Sequence, residues 1–250
     1  GSPIDAYVEQ RALSLKAIIE LMVKVCDAVQ YAHQHLVVHA DLKPSNILVN
    51  EATDPKIVDF GVSGALSASS TIETARPLGV TPAYSSPERM AGAAPAPAED
   101  VYSLGVVLRQ LVTGANPAVA GSDKPIADLI AGASDRSKAW RRQRAEAVRG
   151  DLGRIIARAT AKAKAARYSS VESLRNDLAA WAALRPIAEM RGDRLHSLWL
   201  LFRRRTLRFV FAGAAVAGVL VALAVSTLLY LRAEEERQAS AVLVAQVGRE

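Results

Sequence analysis

Between Phe209 and Leu231 the chain carries no charged residue, and this feature constrains its fold more than any other. A helix needs roughly 20 apolar residues to cross the hydrocarbon core of a bilayer, where each backbone N–H and C=O must be satisfied within the helix itself. The run is long enough. Its position late in the chain excludes a signal peptide, and buried helices of soluble cores are usually interrupted by polar residues. Arg203, Arg204, Arg205 and Arg208 precede the run, whereas Glu234, Glu235 and Glu236 follow it. Arginine and lysine stay on the cytoplasmic side. The sequence therefore predicts a single transmembrane helix over 209–231, with residues 1–208 in the cytoplasm and the start of an extracytoplasmic region over 232–250.

The basic balance, 31 Lys plus Arg against 25 Asp plus Glu, could also serve nucleic acid. Such binding wants basic residues interleaved with aromatics, and aromatics are only 5% here, so no nucleic-acid partner is expected. Half the residues are hydrophobic, which excludes a disordered chain. Cys26 is the only cysteine; it can form no intramolecular disulfide, fits a reducing compartment, and reads as a small buried residue on a helix.

Upstream of the run, Ser14 can cap a helix whose apolar positions Ile18, Leu21, Met22, Val25, Val29, Ala32 and Leu36 recur at three and four residue steps. The β-branched runs Leu36–His39, Ile47–Val49 and Lys56–Val58 read as short strands or extended pieces. Residues 61–83, rich in Ser, Thr, Ala and Gly, have no period and read as a loop. Val101–Val112 is apolar nearly all round, the mark of a helix at the centre of a domain. Helices are expected again over 151–163 and 171–183, the second opened by Ser169 with Glu172 three residues later as a capping box. Residues 115–150 give no clear pattern.

The chemistry concentrates in His39-Ala40-Asp41-Leu42-Lys43-Pro44-Ser45-Asn46, followed by Asp59-Phe60-Gly61, Gly79-Val80-Thr81-Pro82-Ala83-Tyr84-Ser85-Ser86-Pro87-Glu88 and the buried helix from Asp100. Singly these are common: Asp41 and Lys43 could be a surface ion pair and Glu88 a solvated carboxylate. Their order and separation resemble the signatures of protein kinases, whose catalytic loop runs H-R-D-x-x-x-x-N before D-F-G and A-P-E. Small-molecule phosphotransferases related to aminoglycoside kinases share the first pattern but lack Lys43, the Thr-Pro-Ala-Tyr run and the Ser-Pro-Glu closure. More closely, the chain is similar to bacterial membrane-anchored (Hanks-type) serine/threonine kinases.

That resemblance implies an α+β protein kinase-like fold, mostly the helical C-terminal lobe over 1–185, then a basic juxtamembrane linker over 186–208 and the single span. It implies ATP and Mg²⁺ as cofactors, protein substrates bearing Ser or Thr, a single-pass place in the bacterial inner membrane, and room for a homodimer. Asp41 would orient the acceptor hydroxyl and take its proton, and Lys43 would face the transferring phosphoryl group. Lys43, Ser45, Asn46 and Asp59 would form the nucleotide side, with Asn46 and Asp59 holding Mg²⁺. Thr81 points to Ser/Thr specificity, Glu88 pairs with Arg167, and Asp100 anchors the catalytic loop from behind.

Two departures accompany the resemblance. Ala40 stands where the family usually has arginine, so phosphorylation at Ser69, Ser70, Thr71 or Thr74 is not expected to switch the enzyme in the usual way. Residues 1–250 hold no counterpart of the glycine-rich loop, the third-strand lysine or its glutamate partner, so these residues alone are expected to bind ATP weakly or not at all. A catalytically inactive membrane-anchored pseudokinase or scaffold, or a truncated gene product, is the alternative.

Overall fold

A computed structural model of the chain describes residues 1–60, 81–120, 124–188, 219–223 and 225–227. The chain divides into two compact units, Gly1–Asp193 and Arg194–Glu250. In the second unit, residues 219–223 and 225–227 are helical. The expected span over 209–231 lies mostly outside the described residues, and among the described residues no helix is long and apolar enough to cross a membrane.

The first unit opens with β1 (Ser2–Pro3) and α1 (Ile4–Gln10), followed by α2 (Leu15–Gln34). As expected, Ser14 caps α2, its Oγ accepting from the Ala17 N–H at 3.2 Å. The stripe Ile18, Leu21, Met22, Val25 and Val29 is fully buried with Cys26, whose thiol is pushed up to about 12 by burial. Leu36 does not continue the stripe. The helix stops at Gln34, and Leu36 sits beyond it at φ 62°, 93% exposed.

β2 (Ile47–Val49) and β3 (Pro55–Ile57) form an antiparallel hairpin with Ile47 opposite Ile57, and β1 pairs with β2 on its other edge. Among the described residues Leu36–His39 joins no ladder: Leu36 stands in a left-handed turn, and His39 is tied to Asp100 and Val58 instead.

The core is organised by the helix α4 (Pro97–Thr113), which follows the single turn α3 (Pro87–Met90). Every residue of α4 from Glu99 to Thr113 is buried, in keeping with the nearly all-round apolarity of Val101–Val112. Gly105 has no substitute here: a Cβ would lie 2.7 Å from that of Ala159 and 2.9 Å from the Thr160 methyl. Gly114, at φ 72°, ends the helix in the left-handed conformation glycine favours. Arg144 completes that end, donating to the carbonyls of Leu111 and Val112 at 3.0 Å each, and burial lowers its pKa to about 10.

The stretch that gave no sequence pattern forms α5 (Pro117–Ala120), α6 (Ile126–Gly132) and α7 (Lys138–Arg149). Next come α8 (Asp151–Ala159), four residues shorter than expected, and α9 (Val171–Ala182), which packs along α2. The cap of α9 is Ser170 rather than Ser169: its Oγ accepts from the Ser173 N–H at 3.1 Å. The Glu172 N–H is met by the Gln30 side chain of α2 at 3.1 Å, so the capping box is replaced by a contact with the neighbouring helix.

Leu36 makes a direct prediction. A left-handed conformation costs an L-residue about 1–2 kcal/mol, and its exposed side chain has little packing to lose. Leu36→Gly removes that strain but loosens the unfolded chain by about 0.4–1 kcal/mol, so a net stabilisation between nil and about 1.6 kcal/mol is expected in urea denaturation; a clear loss would contradict the strain.

Candidate active site

The loop joining α2 to β2 places Asp41 beside Lys43, and the first short 3₁₀ turn, Pro44–Asn46, returns the chain to the sheet. Both backbone polar groups of Asp41 are held by side chains. Its N–H donates to His39 Nδ1 at 3.3 Å, and its carbonyl accepts from Asn46 Nδ2 at 3.0 Å. His39 is itself fully buried, and its Nε2 meets the Val58 carbonyl at 2.8 Å. A carbonyl only accepts and an N–H only donates, so the Nε2–H tautomer satisfies both contacts. The ring centroid lies 4.9 Å from that of Phe60.

The Asp41 carboxylate takes two further contacts. Lys43 Nζ donates to Oδ2 at 2.7 Å, and the Thr81 N–H donates to Oδ1 at 3.2 Å. Lys43 Nζ also reaches Thr81 Oγ1 at 2.9 Å, which closes a three-residue arrangement. Both ionic side chains remain partly open, 16% for Asp41 and 26% for Lys43. Asp41, Lys43, Asn46 and Thr81 are thus brought together as the sequence suggested.

Asn46 and Asp59 meet the same end of the β2–β3 hairpin: the Val58 N–H donates to the Asn46 carbonyl at 3.0 Å, immediately before Asp59. Asp59 is exposed and held at φ 60°. With Asn46 Nδ2 committed to Asp41, the amide oxygen accepts from the Ser45 hydroxyl at 3.4 Å and from no other group among the described residues. One amide oxygen and one carboxylate fit Mg²⁺, a hard cation that takes one or two protein oxygens and completes its shell with water and phosphate. No cluster of three or more His, Cys, Asp or Glu suited to a metal occurs among the described residues.

Behind the loop stands Asp100, in the first turn of α4 and wholly buried. Its carboxylate accepts from the N–H groups of His39 at 2.9 Å and Ala40 at 2.8 Å, and from His33 Nε2 at 2.7 Å. These bonds hold Ala40 at φ 63°. Further along the same face of α4, Ser103 Oγ donates to the Tyr84 carbonyl at 2.8 Å and Gln110 accepts from the Tyr84 hydroxyl at 2.5 Å. Burial pushes the Tyr84 phenol up to about 12. Gln110 donates onward to Asp5 of α1 at 3.2 Å. His33, Ser103 and Gln110 were not anticipated. The signal for Ser103 and Gln110 lay in their steps of three and then seven residues from Asp100, a polar strip hidden inside an apolar helix; His33, on α2, had no such signal.

Glu88 and Arg167 form the expected pair, bidentate, through Nη1 to Oε1 and through Nη2 to Oε2 at 2.7 Å. Arg167, with its side chain fully buried, also donates to the carbonyls of Ala161, Ala98 and Lys162 and lies over the Tyr102 ring. The guanidinium holds the Glu88 carboxyl below its ordinary value. Nearby, Glu99 is buried with both carboxylate oxygens lacking a hydrogen-bond partner among the described residues, and the nearest cation, Arg89 Nε, is 3.9 Å away. Burial pushes Glu99 up to about 7.

Removing one partner of a buried ion pair costs about 3–5 kcal/mol, so Arg167→Ala is expected to lose stability on that scale in urea denaturation; a loss well under 1 kcal/mol would contradict the role of the pair.

The two glutamates act in separate pH windows. Glu99 binds a proton in the fold that the unfolded chain releases above 4.5, so its contribution to stability falls as pH rises from 4.5 to about 7. The contribution of Glu88 is present above 4.5 and is lost as pH drops through its lower folded value. Glu99→Gln should flatten the upper window of a stability–pH curve and leave the acid limb in place; an unchanged upper window would contradict the assignment.

Residues 1–178 match the family model described as the protein kinase domain. Over 111 residues the chain is 39% identical to the serine/threonine-protein kinase PknB of Mycolicibacterium smegmatis, a match covering 44% of this chain and 17% of that protein. It is 37% identical over 118 residues to PknA of Mycobacterium tuberculosis, covering 47% of this chain and 27% of that protein. With PrkC of Bacillus subtilis the identity is 36% over 118 residues, covering 47% of this chain and 18% of that protein. The chain thus spans about a quarter or less of the length of these curated relatives.

Proposed function

This chain belongs to the protein kinase domain family, and on that premise we propose that it serves to transfer the γ-phosphoryl group of ATP to a serine or threonine of a protein substrate. Its resemblance within the family is to serine/threonine protein kinases. The observation that carries the reading is the closed arrangement of Asp41, Lys43 and Thr81, held from behind by Asp100.

Phosphoryl transfer depends on positioning and on neutralising charge more than on covalent chemistry by the protein. The acceptor hydroxyl would hydrogen-bond to the Asp41 carboxylate. As its oxygen bonds the γ-phosphorus and the bond to ADP breaks, its proton passes to Asp41. Lys43 supplies a fixed positive charge beside that carboxylate, where negative charge accumulates on the phosphoryl oxygens. Thr81 sets where the acceptor segment lies, because its backbone and hydroxyl are both tied to this pair. Asn46 Oδ1 and the Asp59 carboxylate would hold Mg²⁺, which neutralises phosphate charge when bound.

The charge-free run over 209–231 and the arginines before it support a single-pass anchor in the bacterial inner membrane, with the kinase unit on the cytoplasmic side. On this reading the protein would act as a transmembrane signalling kinase. A membrane-tethered docking scaffold without catalysis is the second reading, favoured by Ala40 in place of the family's arginine.

Asp41→Asn removes the proton acceptor and little volume. In the longest natural form of the protein, kcat for phosphate transfer from labelled ATP to a protein acceptor should fall by about 10²–10⁴-fold, with the denaturation midpoint nearly unchanged. A retained rate would contradict the role of Asp41, and no transfer by the wild-type protein would favour the scaffold.

A further inference from the structure

Helix α7 carries a basic stripe that the catalytic reading does not use. Lys138, Arg141, Arg142 and Arg149 fall at steps of three, four and eleven residues from its start, on one face; Trp140, Arg144, Ala147 and Val148 face inward or lie partly buried. Lys138, Arg142 and Arg149 are exposed and Arg141 is half-buried. The only acidic residue of the helix, Glu146, pairs with Arg142 at 3.2 Å.

Helix stability does not explain the stripe. Lys138 stands in the first turn, where the helix dipole disfavours a cation, and it has like charges three and four residues ahead. Across the turn at Gly150, α8 packs on α7, and its own exposed arginine, Arg154, is paired with Asp151 at 3.5 Å. A surface kept cationic against its own helix fits an external anionic partner.

We propose that this face of α7 docks on the anionic headgroups of the membrane that carries the protein. The inference rests on the single-pass reading above. The final described residue before the run, Ala188, is tied to α9 through Asp177 at 2.9 Å. The 20 residues from 189 to 208 cannot reach beyond about 70 Å, and a unit of this size has a radius of gyration of only about 16 Å. On that reading the linker length keeps a bilayer within reach of the unit, and the charge of its faces would select the one that meets it. Anionic lipid attracts a basic segment within a Debye length, by about 1 kcal/mol for each Lys or Arg at the surface.

The test uses the full chain reconstituted into phosphatidylcholine vesicles, with or without phosphatidylglycerol. Cys26 is wholly buried, so Ala145→Cys on the stripe accepts a fluorophore selectively, and spin-labelled lipid reports its proximity to the bilayer. Quenching is expected only with phosphatidylglycerol, and it should vanish as salt rises from about 0.1 to about 1 M. Lys138→Gln with Arg142→Gln should lower the ratio of docked to undocked protein roughly 30-fold, two charges at about 1 kcal/mol each, with the fold at least as stable.

Equal quenching in both vesicles, with the chain resisting alkaline extraction, would overturn the docking and leave the anchor standing. A chain washed off by alkali would overturn both. Displacement of the label from phosphatidylglycerol vesicles by single-stranded RNA at equal charge would assign the face to polyanions in general and overturn the membrane assignment.

Discussion

The Asp100 carboxylate is the constraint on which the rest of the site depends. It is a buried charge in the first turn of a buried helix, and it is tolerated because three donors converge on it from the loop and from α2. Each hydrogen bond to a charged group is worth about 1.5–3 kcal/mol, whereas holding Ala40 in the left-handed region costs about 1–2 kcal/mol. The two amide bonds therefore outweigh the strain they impose. The turn at Ala40 then presents Asp41 outward, while His39 and Asn46 fix its backbone from either side.

The same helix organises the other half of the site. Ser103 and Gln110 hold Tyr84, three residues after Thr81, so α4 fixes the loop that carries Asp41 and the segment that carries Thr81 on one helix. Glu88 and Arg167 then fasten that segment to the loop ahead of α9. Asp41, Lys43 and Thr81 thus sit on loops, and the rigidity that positions them comes from one helix passing beneath, in a chain that belongs to the protein kinase family.

Much of this was legible in the sequence where one local rule acts alone. Ser14 caps α2, Ile47–Val49 is a strand, and the nearly all-round apolarity of Val101–Val112 marks the burial of α4. Of the residues that motif order singled out, Asp41, Lys43, Asn46 and Thr81 lie together and Glu88 meets Arg167. What escaped depends on contacts between distant segments. Leu36 matches the apolar step of α2, but the helix ends before it. Ser169 and Glu172 form a capping box on paper, yet Gln30 of α2 takes the Glu172 amide and Ser170 becomes the cap. The polar strip on α4 was masked by its apolar neighbours, and His33 gains a role only once α2 lies against α4. Over 115–150 the helices bury few side chains, so no period emerges even though Ser137 caps α7.

The most direct test of this account is the turnover of Asp100→Asn in the longest natural form of the protein, compared with wild type at equal folded fraction. Asparagine keeps the volume but replaces one acceptor oxygen with a donor, so it cannot hold both loop amides. The account predicts a fall in kcat of about 10²-fold, the scale of a small misplacement of catalytic groups, with KM for ATP little changed. A variant that folds and turns over at the wild-type rate would contradict the claim that Asp100 positions Asp41 for phosphoryl transfer.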